Sequence, residues 1–173
     1  TSSVIDNSAN IISGNNISNY FSASAVSNGM NLTTGSSGWT ISNNKFFQTA
    51  SRTYTTANTH NGITASVGTG YTVTGNTIGY ATSGGTGTYT MLGTIATRFI
   101  AINLSTTAGV TSTVQGNTVA AISLNTSSGA TTTNGIICGI NVTGTGSVNI
   151  GNVTPNTIGA TTGINSIVGT ATT

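Results

Sequence analysis

Almost nothing in this chain can move a proton at neutral pH. Across 173 residues the one acidic side chain is Asp6 and the one histidine is His60; Lys45, Arg52 and Arg98 are the only cationic side chains. Glycoside hydrolysis uses two carboxyl groups flanking one bond, and a Ca²⁺ site needs several carboxylate oxygens. A single aspartate builds neither. A Ser-His-Asp set would have to draw on His60 and Asp6, and no Gly-x-Ser-x-Gly elbow surrounds any serine. One histidine and one cysteine, Cys138, are too few for zinc. The residue types therefore assign no catalytic, metal or cofactor site, and the chain is expected not to be an enzyme. His60 follows the polar stretch Thr-Ala-Asn-Thr and reads as a solvated loop residue. Cys138 shares the alternation of Ile140 and Val142 and reads as a small buried side chain.

Charged residues make up 2% of the chain, against roughly a quarter in ordinary globular proteins. Three scattered cations make no phosphate-neutralising surface, which argues against nucleic acid as a partner and against anionic membrane surfaces. No apolar run approaches the roughly 18 residues of a membrane span. Yet 35% of the residues are hydrophobic, with Ile and Val prominent, so the chain has the means to fold. Its surface must be solvated by hydroxyls and amides. The absence of an initiating methionine suggests a mature chain or an excerpt of a longer one. We expect one domain over 1–173, cut from a longer repeat array.

The elements that position these residues show in a recurring phrase: an aliphatic, a small polar residue, usually Gly, then Asn, any residue, and an apolar one. It reads Ile12-Ser13-Gly14-Asn15-Asn16-Ile17, Ile41-Ser42-Asn43-Asn44-Lys45-Phe46 and Val73-Thr74-Gly75-Asn76-Thr77-Ile78. It returns as Val114-Gln115-Gly116-Asn117-Thr118-Val119 and Val153-Thr154-Pro155-Asn156-Thr157-Ile158. Successive key asparagines lie 29, 32, 41 and 39 residues apart. A second phrase alternates with it: Gly29-Met30-Asn31-Leu32, Gly62-Ile63-Thr64-Ala65, Ala101-Ile102-Asn103-Leu104, Gly139-Ile140-Asn141-Val142 and Gly163-Ile164-Asn165-Ser166. Repetition on this scale is the mark of a stacked-repeat architecture. The stretch from second phrase to first is nearly constant in length; the return stretch absorbs the insertions.

The pattern predicts an all-β chain of about five irregular rungs, three short strands each, wound as a right-handed parallel β-helix. Stacking would align Ile41, Val73, Val114 and Val153 on one inner wall. Met30, Ile63, Ile102, Ile140 and Ile164 would form a second wall, and Phe46, Ile78, Val119 and Ile158 a third. Asn15, Asn44, Asn76, Asn117 and Asn156 would form a hydrogen-bonded column at one bend, where Asn and Gly tolerate left-handed backbone. Asn31, Asn103, Asn141 and Asn165 would make an outer ladder.

Phrases such as Thr-Gly-Asn-Thr-Ile and Trp39-Thr-Ile-Ser-Asn-Asn-Lys-Phe resemble the repeats of right-handed parallel β-helix proteins. The likeness covers essentially the whole chain. Low charge with abundant Thr, Ser, Asn and Gly most resembles the large secreted surface proteins and adhesins of bacteria. The resemblance implies a structural or adhesive, extracellular or cell-surface segment, partnered by flanking rungs or by end-to-end copies of itself.

A carbohydrate- or ice-binding module is the alternative, with a fragment of a polysaccharide-active enzyme ranked behind it. Tyr54, Tyr80 and Tyr89 fall on the variable side, where aromatics could stack on surface glycans or cover the insertions. Thr40, Thr72 and Thr74 would face outward on the second strand. Trp39 and Tyr71 would stack at a corner. No end cap is evident.

Overall fold

The computed structural model describes residues 6–127, 135–160 and 163–171, and the side chain of Ile164 lies outside the description. Alternating aliphatic and hydroxyl residues favour short extended segments, and each Gly or Asn break turns the chain. A first pass contains β1 (Asn7–Ser8), β2 (Ile11–Ser13), β3 (Asn16–Ser18) and β4 (Asn28–Leu32). The second contains β5 (Ser36–Ser37), β6 (Thr40–Ser42), β7 (Lys45–Phe47), β8 (Arg52–Thr53) and β9 (Thr59–Ala65). The third holds β10 (Thr72–Thr74), β11 (Thr77–Gly79), β12 (Tyr89–Leu92) and β13 (Arg98–Thr106). Then come β14 (Ser112–Gln115), β15 (Thr118–Ala120), β16 (Ile122–Thr126) and β17 (Ile137–Gly144). The last pass has β18 (Val148–Ile150), β19 (Thr157–Ile158), a 3-10 turn at Gly163–Asn165, and β20 (Ile167–Ala171).

Every strand pairing is parallel. Sheet 1 runs β2-β6-β10-β14-β18 and sheet 2 runs β3-β7-β11-β15-β19. Sheet 3 is β8-β12-β16-β20, sheet 4 is β4-β9-β13-β17, and β1 pairs with β5. The second, third and fourth passes visit sheets 1, 2, 3 and 4 in that order; the first pass has no strand in sheet 3 and the last none in sheet 4 among the described residues. Three strands per pass was the expectation; the variable side in fact carries a fourth, sheet 3. Its members, from Arg52-Thr53 to Ile167-Val168-Gly169-Thr170-Ala171, share no sequence phrase that would reveal them.

Register aligns the inward residues. Ile12, Ile41, Val73, Val114 and Ile150 are consecutive partners in sheet 1. Ile17, Phe46, Ile78, Val119 and Ile158 follow one another in sheet 2, and Met30, Ile63, Ile102 and Ile140 in sheet 4. Ile41, Val73, Val114, Phe46, Ile78, Ile63 and Ile102 are completely buried.

Two expected members are displaced. Val153 is 82% exposed, and Ile150 takes its place in sheet 1. The cause is Pro155. The residue before the key asparagine is left-handed at Gly14, Asn43, Gly75 and Gly116 (φ 70°, 55°, 64° and 62°), a conformation the proline ring forbids. The bend occurs earlier, at Gly151 (φ 61°), and the intervening residues bulge outward. Ile164 lies in the 3-10 turn and not in sheet 4.

In sheet 4 the alternation itself breaks. Asn61 pairs with Ile100 and Ile63 with Ile102, while a Cβ added to Gly62 would sit 3.2 Å from Ile78 Cγ2. Residues 62 and 63 therefore both face inward. Past this kink, Cys138 aligns with Ile100 and Asn61 on the outer column and is half-buried, which corrects its expected burial. In the first pass Tyr20 and Phe21 lie where later passes have sheet 3, and Phe21 is 3% exposed.

Candidate functional site

Asp6 is exposed, whereas His60 is completely buried. The loop reading of His60 is thus corrected: it belongs to β9 and pairs with Phe99, so it falls in an inward column. Its ring lies 4.5 Å from Tyr54 and 5.1 Å from Phe21, and among the described residues neither ring nitrogen has a hydrogen-bond partner. Burial lowers its pKa from 6.5 to about 4, leaving a neutral imidazole at pH 7. No carboxylate orients it. Burial also raises the Cys138 thiol above its ordinary value, so little reactive thiolate forms. Among the described residues no three His, Cys, Asp or Glu side chains gather where a metal ion could bind.

The tyrosines named as ligand-facing are interior. Tyr54, Tyr80 and Tyr89 are 3%, 8% and 0% exposed. Tyr89 donates its hydroxyl proton to Tyr20 Oη at 2.7 Å, and Tyr80 donates to Asn165 Oδ1 at 2.8 Å. Tyr20, Phe21, Tyr54, His60, Tyr89 and Phe99 form one aromatic nest. Desolvation pushes the Tyr20, Tyr54 and Tyr89 hydroxyls well above the usual phenol range. Sheet 3 explains this burial, because β12 brings Tyr89 and Met91 inward where a loop was expected. Trp39 and Tyr71 are served separately: Trp39 Nε1 donates to the Asn7 carbonyl and Tyr71 Oη to the carbonyls of Ser36 and Val67.

The densest polar arrangement is the inner corner between sheets 1 and 2. Asn15 donates its backbone N–H and Nδ2 to Asn44 Oδ1 at 3.0 and 2.9 Å. Asn44 does the same to Asn76 Oδ1 at 3.0 and 3.1 Å, Asn76 to Asn117 at 3.0 and 2.9 Å, and Asn117 to Asn156 at 2.9 and 3.0 Å. The second Nδ2 proton returns to the previous pass: Asn44 to the Ile12 carbonyl, Asn76 to Ile41, Asn117 to Val73 and Asn156 to Val114, each at 2.9 Å. An amide has two donor protons and two acceptor lone pairs. All four are used in Asn44, Asn76 and Asn117, which are essentially unexposed.

The outer ladder follows another path from that expected. Asn141 donates to Asn103 Oδ1, Asn103 to Asn61 and Asn61 to Asn28, while Asn165 sits in the 3-10 turn.

On the outside of sheet 1, Thr40, Thr72 and Thr113 are in register, bracketed by Ile11 and Asn149. Thr74 aligns with Ser42 and Gln115, and all of these threonines are half-buried. Gln115 is occupied: its Oε1 accepts the N–H groups of Val153 and Thr154, pinning the bulge before Asn156. A cleft of about 550 Å³ opens at the last pass between Ile137, Gly139, Ile158, Gly159, Ala160 and Ile167.

No protein-family model, curated protein or solved structure matches the chain. The arrangement itself carries the interpretation. The buried asparagines Asn44, Asn76 and Asn117 satisfy one another and the neighbouring main chain. Sequence reasoning missed the aromatic nest, whose members come from three passes and follow no common phrase. Gln48, buried with its Nε2 on the Thr90 carbonyl, was missed too.

Proposed function

We propose that the chain is a segment of right-handed parallel β-helix serving a non-catalytic, structural or adhesive role in an extracellular or cell-surface repeat protein. On this reading 1–173 is one domain of a longer array, partnered by flanking rungs or by further copies of itself. The observation that carries it is the saturated asparagine column, which ties each pass to the next at a fixed corner while the opposite side varies in length. Such a column makes a stiff spacer. A surface of hydroxyls and amides with almost no charge suits contact with other neutral polar surfaces. The test is to incubate the purified chain with a panel of polysaccharides and follow release of reducing ends and unsaturated products, together with amide hydrogen exchange. We expect no turnover and slowest exchange at Asn44, Asn76 and Asn117. Turnover lost on Asp6→Asn or His60→Ala would overturn the proposal.

The threonine register of sheet 1 favours one second reading, an ice-binding face. Thermal hysteresis lost on Thr72→Lys would support it; its absence in the unaltered chain would dismiss it.

A further inference from the structure

His60 sits where a proton would find no counter-charge. Phe99 lies beside it in register, and the Tyr54 and Phe21 rings stand 4.5 and 5.1 Å away. The titratable groups around it are the neutral hydroxyls of Tyr54 from the β8–β9 connection, Tyr20 from the first pass and Tyr89 from β12. Neighbouring charge is cationic: Arg52 acts on the Tyr54 hydroxyl, and Arg98 adjoins Phe99 in β13. The chain's one acid, Asp6, is exposed and acts on Tyr71 instead. Aromatic faces stabilise a nearby cation by about 0.5–2 kcal/mol, less than the several kcal/mol that taking an ion out of water costs. Protonation must therefore bring water to the ring.

The cover over this ring is unevenly fastened. β9, which carries His60, is paired on both sides, to β4 and β13. Residues 49–58 are held more lightly. β8 has one strand partner among the described residues, β12, because the first pass has no strand in sheet 3. The Thr49 and Thr55 N–H groups donate to Asn19 Oδ1 and the Ala23 carbonyl at 3.0 and 2.8 Å, and the Tyr54 N–H to the Leu92 carbonyl at 2.9 Å. Tyr54 is the one buried side chain in this stretch, and its hydroxyl has no partner among the described residues. Both ends are anchored: Gln48 Nε2 donates to the Thr90 carbonyl, and the Asn58 carbonyl accepts the Arg98 N–H. We propose that residues 49–58 are an acid-operated lid: protonation of His60 withdraws Tyr54 and lifts this stretch, opening the aromatic nest to solvent while the asparagine corner stays closed. The device is independent of the structural or adhesive role. It adds an apolar surface of Phe21, Tyr54 and Tyr89, present only in acid, to a chain otherwise covered by hydroxyls and amides. With a closed-state pKa of about 4 and an open-state value of 6.5, the opening constant rises by up to roughly tenfold per unit as pH falls between them.

The test is amide hydrogen exchange, corrected for its intrinsic pH dependence, on peptides covering 49–58 and on peptides covering Asn44, Asn76 and Asn117. Between neutral pH and about pH 4 the lid peptides should accelerate by at least roughly tenfold while the corner peptides keep their protection. A lid rate that ignores pH overturns the proposal, as does loss of protection at the corner together with the lid. His60→Leu, its fold checked by circular dichroism, should abolish the acceleration; acceleration that persists in it also overturns the proposal. A second variant keeps the histidine. Thr53→Cys and Leu92→Cys, register partners, combined with Cys138→Ser, staple the lid to β12. His60 is the only histidine, so its imidazole gives a single NMR titration. That titration should move to lower pH when the staple is oxidised and return on reduction. An unmoved titration means that protonation does not need the lid to lift, and a pair that fails to oxidise means that the lid does not close on β12; either sinks the switch.

Discussion

Asn76 gives both its main-chain N–H and its side-chain amide to a single atom, Asn117 Oδ1, at 3.0 and 2.9 Å. Its own Oδ1 takes the same pair from Asn44. Removing the Asn76 side chain therefore strands the Asn44 N–H and amide and the Ile41 carbonyl, all in the interior. Unsatisfied buried groups cost roughly 1–3 kcal/mol each, with partial relaxation. Asn76→Ala should destabilise by about 3 kcal/mol in urea unfolding. Asn15→Ala, at the exposed start of the column, should cost less than about 1 kcal/mol. Equal losses at the two positions would contradict a buried, saturated column.

His60 makes stability depend on pH. Its folded pKa of about 4 lies below the unfolded value of 6.5, so the unfolded chain takes up the proton first. The contribution is complete above about pH 6.5 and is lost progressively as pH falls toward 4. That shift corresponds to roughly 3 kcal/mol. The free energy of unfolding should drop across this window, and His60→Leu should flatten the profile. An unchanged profile in His60→Leu would show that the histidine is not the titrating group.

Two buried tyrosines should respond oppositely to losing a hydroxyl. The Tyr54 hydroxyl is buried with no partner among the described residues, whereas Tyr89 donates to Tyr20. Removing an unsatisfied polar group relieves a desolvation penalty, while removing a bonded one forfeits about 1 kcal/mol. Tyr54→Phe should be neutral or stabilising. Tyr89→Phe should lower the unfolding free energy by about 1 kcal/mol. A similar loss for both would mean that Tyr54 has a partner in solution.

Gly79 and Gly14 separate crowding from backbone strain. Gly79 (φ 131°) lies against the Ala120 carbonyl on the neighbouring strand, which a Cβ would strike; Gly14 (φ 70°) has open space. Gly14→Ala carries only the left-handed penalty of about 1–2 kcal/mol. Gly79→Ala must also push β11 from β15 and should cost clearly more, read as a larger fall in Tm. If the two variants melt alike, the close approach at Gly79 is absent in solution.

The parallel, all-β character was legible because one bend needs a narrow chemistry. A left-handed residue followed by an amide leaves Gly-Asn or Asn-Asn in the sequence, and the spacing of those pairs marks the passes. The same rule misled at Val153-Thr154-Pro155-Asn156, where the letters match but Pro155 cannot adopt the bend. Sheet 3 left no such trace, since β8, β12, β16 and β20 are held by pairing and burial and share no turn residue. His60 was illegible for a related reason: polar neighbours suggested a loop, yet its position opposite Phe99 decides its side. At Cys138 strict alternation failed because two successive residues face inward at the Gly62 kink.

The saturated corner also acts as a counter. Sliding one pass by a single residue would sever its links to the passes above and below at once, so alignment is checked locally on every circuit. The length of chain spent on the far side does not enter that check. Segments there are free to lengthen, shorten or change composition over evolutionary time without the protein losing its place.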